Sequence, residues 1–201
     1  MTPTGARLPA AERRSAIVAA AARVFAAHSY AGATTADLAR AAGVSEPILY
    51  RHFPSKRDLY LACLDVAWAA LRDAFDGKLA ELGDREGVTA IGLAAREFHA
   101  AGGVKPVTLW LQAVVEAGQD EEIRTHLRRQ LQDVHDYVAD VMRRAQRAGG
   151  VPLDREPDAE AWLFVGAALL LAFGDRLGGL LGPDELAAIS RQRHRWLTGS
   201  G

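Results

Sequence analysis

The segment from Thr34 to Lys56 constrains this chain more than any other, because it holds two helix starts, a helix stop and a proline within a short span. Thr34 followed three residues later by Asp37 is a capping-box pattern, which satisfies the orphan amides of a helix N-terminus. Leu38, Ala39 and Ala42 form the inner stripe of that helix. Gly43 follows where the helix must end, since glycine takes the left-handed conformation without a Cβ penalty. Ser45 can cap a second helix, and Pro47 falls in its first turn, where a missing N–H costs little. Leu49 and Phe53, four residues apart, anchor the second helix inward. Pro54 and Ser55 end it and start a third at Lys56. The pattern is a helix-turn-helix, whose second helix is shaped to enter a DNA major groove.

The outward residues of that second helix suit a base-pair surface better than a core. Pro47 and Ile48 offer apolar contact of the kind that recognises a thymine methyl. Glu46 can accept a hydrogen bond from cytosine N4, and Arg51 can read guanine or hold a phosphate. A carboxylate near phosphates also lowers affinity, so Glu46 is expected to act by discrimination. The charge distribution agrees. The net charge is only −1, yet residues 1–57 carry eight Lys and Arg against three Asp and Glu. The remainder carries 16 basic and 22 acidic residues. A basic head on an acidic body is the footprint expected when one end approaches phosphate.

From about Ala11 to Leu64 the sequence resembles the N-terminal DNA-binding domain of TetR-family transcriptional regulators. The resemblance rests on the Ala-rich first helix ending in Phe25, on Tyr30 and Thr34-Thr35, and on Leu38-Ala39. It continues through Ala42-Gly43-Val44-Ser45, Leu49-Tyr50 with Phe53, and Ser55-Lys56. It implies that Tyr50 touches DNA and that Thr35, His52 and Lys56 meet phosphates. With Ser45, Glu46, Pro47, Ile48 and Arg51 these make the expected DNA-binding set. Ala36 departs from the pattern: some relatives carry a long polar side chain there to reach a base, and alanine cannot.

No strand-like alternation persists anywhere, so an all-α fold of about nine helices is expected. Residues 1–56 would form the helix-turn-helix domain and 57–201 a helical effector-binding and dimerisation domain. The first helix is expected from Pro9 to His28. The fourth, starting near Ser55, carries Leu61, Leu64, Trp68, Leu71 and Phe75 at alternating steps of three and four. A break is expected between Gly77 and Gly87. Further helices are expected over Val88–Ala101 (closed by Gly102-Gly103), Pro106–Ala117 and Asp120–Ala148, whose stripe is Ile123, Leu127, Leu131, Val134, Val138 and Val141. The last two are expected over Asp158–Leu177 and from Pro183 to near Trp196. An apolar content of 49% argues against disorder. A single cysteine, Cys63, permits no internal disulfide, and with no signal peptide in view a cytoplasmic protein is expected. The longest apolar run, Ala161 to Phe173, reads as too short for a bilayer span, so no membrane partner is expected.

One head covers few base pairs, so double-stranded DNA with a palindromic operator and a homodimer are the expected partners. The eighth helix is apolar on nearly every side, more than one small body can cover. The resemblance implies that the last two long helices form a four-helix interface across a twofold axis. Trp162, Val165, Gly166, Leu169, Leu170, Phe173, Leu186, Ile189 and Trp196 are the expected contacts. The resemblance also implies a pocket for a small-molecule effector between helices four and eight. Trp68, Phe98, Trp110, Val114, Tyr137 and Phe164 are candidate lining, with His99, Gln112 and His135 as polar contacts. For each of these, core packing or surface exposure is the competing reading. No cluster of one charge dominates, so an apolar or aromatic effector is the expected class.

No catalytic residue, metal or cofactor is expected. The histidines at 28, 52, 99, 126, 135 and 194 show no paired ligand spacing, and the glycines form no phosphate loop. The expected function is a dimeric regulator, a repressor released from its operator by the effector. An activator or architectural DNA binder without an effector is the alternative, and an all-α enzyme a remote one.

Overall fold

The computed structural model describes residues 9–101 and 104–199, with the side chain of Asp175 left out. Among these, regular structure is entirely helical. The helices are α1 (Ala10–Gly32), α2 (Thr35–Ala41), α3 (Glu46–His52), α4 (Lys56–Leu82), α5 (Gly87–Ala100), α6 (Pro106–Glu116), α7 (Glu121–Arg147), α8 (Pro157–Arg176) and α9 (Pro183–Thr198). A 3-10 turn at Asp84–Glu86 precedes α5. The chain divides into two compact units, Met1–Ala67 and Trp68–Gly201, and α4 has residues in both.

In the first unit, Ile17, Val18, Ala21 and Phe25 of α1 are buried with Leu38, Leu49, Phe53, Leu59, Tyr60 and Leu64. The rings of Phe25 and Tyr30 each lie 4.9 Å from that of Tyr60, within the range of favourable aromatic pairing. The backbone of α1 is regularly helical as far as His28, the expected end. It kinks at Ser29, whose φ of 66° and ψ of 171° fall in a region otherwise left to glycine, and runs on to Gly32. The Ser29 hydroxyl accepts from Gly32 N–H at 3.3 Å, and its carbonyl accepts from Ala33 N–H at 3.3 Å. Cys63 is buried, its thiol donating to the Val18 carbonyl at 3.6 Å, and burial pushes the thiol well above its ordinary range.

In the second unit, α7 packs against α5, α6, α8 and the 3-10 turn. Its buried face is Ile123, Leu127, Val134, Val138, Val141 and Met142, and Asp120 caps it by accepting from the amides of Glu122 and Ile123. Leu131, expected in that stripe, is only half-buried. The break anticipated across Gly77 to Gly87 is shorter than expected. Gly77 is accommodated inside α4, and only Gly83, at φ 79°, and the 3-10 turn separate α4 from α5. Gly102 and Gly103, the expected stop of α5, lie outside the described residues. After α7 the chain passes close to that turn: a Cβ on Gly150 would stand 1.8 Å from the Arg85 carbonyl oxygen, so only glycine fits. Met142, Ala145, Val151 and Leu197, with Val88, form a small core beside this crossing.

Length alone does not separate α8 from a membrane span, as the shorter run Ala161 to Phe173 suggested. Its 18 residues Pro157–Gly174 reach a mean hydropathy of 1.3. Ala161, Val165 and Ala172 are nonetheless buried in the unit, while charged Asp158 and Glu160 occupy the first turn.

Candidate nucleic-acid interface

The turn between α2 and α3 is built as the spacing anticipates, with one exception. Thr34 Oγ1 accepts from Asp37 N–H at 3.1 Å and donates to its carboxylate at 2.5 Å. These contacts, with Arg40 at 2.8 Å, hold the Asp37 carboxyl below its ordinary range, the Thr34 hydrogen bond contributing most. Gly43 takes φ 64°. The exception is Ser45: it is the N-cap residue of α3, but its side chain makes no capping bond. Pro47 has no N–H to offer it, and the Ile48 N–H donates to the Ser45 backbone carbonyl at 3.0 Å.

Leu49 and Phe53 are 2% exposed and hold α3 from behind. Ser45, Glu46, Pro47, Tyr50 and Arg51 are exposed, while Thr35, Ile48, His52 and Lys56 are half-buried. Thr35 and Glu46 are brought together, the Thr35 hydroxyl donating to Glu46 Oε2 at 3.0 Å. Lys56 is turned partly toward its own unit: Nζ donates to the Ala33 carbonyl at 3.1 Å and lies 4.5 Å from the Tyr30 ring centroid. Arg14, counted above only as charge, lies on the Phe53 ring at 4.2 Å and is exposed. It adds a cation beside the end of α3 that no spacing in the sequence signals.

The expected pocket residues fall into separate groups. Trp68, Trp110, Tyr137 and Phe164 share one aromatic cluster with Phe75, at centroid separations of 5.9 to 6.3 Å. Tyr137 donates to Asp76 at 2.6 Å; burial, and then that bond, raise its phenol above its ordinary range. Gln112 is buried on α6. Phe98 and His99 are half-buried late in α5, with His99 Nε2 3.0 Å from Lys105 Nζ. Val114 is 52% exposed. His135 braces α7 to α8: Nδ1 lies 2.8 Å from Asp136, Nε2 3.2 Å from the Asp158 carbonyl, and its ring 4.5 Å from that of Trp162.

On α8 and α9, Trp162, Leu170, Phe173, Ile189 and Trp196 are exposed and Leu169 and Leu186 half-buried. Gly166 is exposed, whereas Val165 faces the unit's own core. Leu163 and Leu177 extend the apolar surface beyond the expected set. Glu160 is 7% exposed, its carboxylate accepting from Arg193 and from the Trp196 indole, at 3.1 Å for the latter. An open groove of about 770 Å³ runs beside it, lined by Leu163, Ile189, Arg191 and Trp196 among others. No group of three or more His, Cys, Asp or Glu among the described residues is placed to hold a metal.

Residues 17–63 match the model of "Bacterial regulatory proteins, tetR family". The HTH-type transcriptional activator FasR of Mycolicibacterium smegmatis is 50% identical over 60 residues, 30% of this chain and 27% of the relative. The HTH-type transcriptional regulator BetI of Agrobacterium fabrum is 34% identical over 116 residues, 56% of this chain and 54% of the relative. The matches thus span about a quarter to about half of those relatives. Among solved structures, a TetR-family regulator from a Rhodococcus species superposes with a TM-score of 0.78 at 22% identity, covering 94% of this chain and 99% of that one. The structure of AibR in complex with isovaleryl coenzyme A and operator DNA gives a TM-score of 0.69 at 19% identity, covering 92% and 98%. These structures share the fold of the chain, and the curated relatives share its head. Residues 17–63 thus carry the DNA-binding head shared by bacterial regulatory proteins of the tetR family.

Proposed function

We propose that the chain is a homodimeric, DNA-binding transcription regulator, a repressor released from a palindromic operator by a small-molecule effector. Residues 1–56 form the reading head together with the start of α4, which belongs to the same compact unit, and the remainder of 57–201 forms the body that binds effector and partner. The reading is carried by α3: Glu46, Pro47, Tyr50 and Arg51 stand exposed on a helix whose back is fixed by Leu49 and Phe53. Arg51, Lys56 and His52 supply phosphate contacts, and Glu46, Pro47, Ile48 and Tyr50 face bases. The exposed apolar surface of α8 and α9 is the side on which a second copy docks, which sets two heads on half-sites about 34–36 Å apart or a multiple of it. The protein acts in the cytoplasm, carries no cofactor and performs no catalytic step.

The effector site lies among α4 to α8, beside the cluster of Trp68, Trp110, Tyr137 and Phe164, and takes an apolar or aromatic molecule. That AibR is seen with both an acyl coenzyme A and operator DNA supports a coupled effector on this fold. A coupling of about 1–3 kcal/mol changes operator affinity roughly 5–150-fold, enough for a switch. The second reading, an activator, is favoured by the FasR head at 50% identity.

The test is binding of the full chain to random and palindromic duplexes across salt concentrations, with metabolites screened by melting temperature. A steep salt dependence and a palindromic footprint are expected, and a metabolite that stabilises the protein should release DNA. Salt-independent or absent DNA binding would remove the proposal. DNA binding that no metabolite of the screen stabilises or releases would favour the activator without an effector instead. A monomer in ultracentrifugation at micromolar concentration would refute the docking of a second copy.

A further inference from the structure

We infer that Thr35 is a positioning residue for base readout: its hydroxyl holds the Glu46 carboxylate as a fixed acceptor for the amino group of a cytosine in each half-site. The inference rests on the DNA-binding reading above and assigns Thr35 a different task from the phosphate contact expected of it. The bond joins residues 11 positions apart, from the start of α2 to the start of α3, at 3.0 Å. Thr35 is β-branched and half-buried, so its hydroxyl has little rotational freedom. A free glutamate side chain samples many rotamers, and a bond from a fixed hydroxyl removes most of them. Pro47 stiffens the same site from the other side by fixing its own φ and restricting the backbone of Glu46.

The chemistry of the held group then selects the base. A hydroxyl has one proton to donate, and here it is directed at Glu46 Oε2. An ionised carboxylate only accepts, with capacity for about four hydrogen bonds, so one bond from Thr35 leaves it an acceptor on an exposed residue. In the major groove cytosine presents the N4 donor, guanine presents two acceptors and thymine one, and adenine sets an acceptor beside its donor. A fixed carboxylate therefore favours cytosine and repels guanine and thymine. A mobile one can swing away from a wrong base and loses that discrimination.

The experiment enriches operators from a randomised library with the full-length chain, then measures affinity for single-base variants by anisotropy. The wild type is expected to prefer cytosine at one column of the half-site by about tenfold, within the range for a specific contact. Thr35→Val and Glu46→Ala should each flatten that same column to within about twofold. The double variant should flatten it no further, and Thr35→Ser should preserve it. Glu46→Gln, which keeps the shape and adds a donor, should move the column toward adenine. Thr35→Val that weakens all sequences equally with the column intact overturns the inference, as does a column unmoved by either Glu46 variant. A wild type that enriches no sequence removes the DNA-binding reading itself, whereas enrichment with unchanged columns removes only the role of this pair.

Discussion

The indole N–H of Trp110 on α6 donates to the side-chain oxygen of Gln130 on α7 at 2.6 Å, with both residues buried. A buried donor stripped of its acceptor carries its desolvation penalty, about 1–3 kcal/mol. Gln130→Leu should therefore destabilise the full chain by that amount, read as a lower urea midpoint at unchanged slope. Removing the donor as well, in Trp110→Phe with Gln130→Leu, should cost less than the sum of the two single changes. A double-mutant cycle measures the difference directly.

Lys56 serves its own unit as well as the proposed phosphate contact. Lys56→Ala should weaken binding to every sequence and flatten the salt dependence by about one counterion. The same change removes the bond to the Ala33 carbonyl and the contact with the Tyr30 ring, so the melting temperature should fall too. Ile48→Ala should instead change sequence preference. Selection from a site library decides: a preference altered by Lys56→Ala but untouched by Ile48→Ala would contradict the assignment.

Ser29 holds a backbone conformation that costs a non-glycine residue about 1–3 kcal/mol. Ser29→Gly should raise stability by about 1 kcal/mol, after loss of the hydroxyl contact to Gly32 N–H. Ser29→Ala keeps the strain, loses the contact and should be destabilising. Thermal melts of the two variants should move in opposite directions.

Gly150 has no room for a side chain beside the Arg85 carbonyl. Gly150→Ala should destabilise the chain by about 1–3 kcal/mol, the usual cost of overpacking, as the loop or the 3-10 turn shifts. Equal denaturant midpoints for variant and wild type would show that the crossing is looser than described.

Asp37 gives a pH dependence whose sign follows from its lowered pKa. Its folded-state value lies below the ordinary 3.8, chiefly because of the Thr34 hydroxyl. The contribution is thus present above the unfolded value and is lost as pH falls through the folded one. Asp37→Asn should melt lower than the wild type near neutrality, and the gap should close on acidification below the ordinary carboxylate range. A gap independent of pH would show that the charge of Asp37 contributes nothing.

The helix-turn-helix was legible because its signals are local: Thr34, Gly43, Pro47 and Ser55 each act on backbone groups within a few residues. Ser45 failed as a side-chain cap for an equally local reason that residue type conceals, since Pro47 offers no amide and the Ser45 carbonyl takes the next one. Nothing in the composition near Ser29 marks a positive φ, so the strained break after His28 and the turn that follows it to Gly32 leave no mark in the sequence. The pairs Thr35 with Glu46 and Glu160 with Arg193 join residues 11 and 33 positions apart, beyond the reach of helical periodicity. For the body, a stripe of aromatic residues announces burial but does not say which rings meet. Trp68, Tyr137 and Phe164 gather around Phe75 and Trp110 pairs with Trp68, whereas Val114 and His135, equally plausible by type, go elsewhere.

The single cysteine makes the head report on its own breathing. Only a thiolate attacks a disulfide reagent, and Cys63 is buried, bonded to the Val18 carbonyl and pushed away from ionisation. Labelling must then wait for the helices around it to part. Its rate becomes a measure of how often the head opens, read without any added probe. Operator DNA that clamps the head should slow that chemistry in proportion to its occupancy.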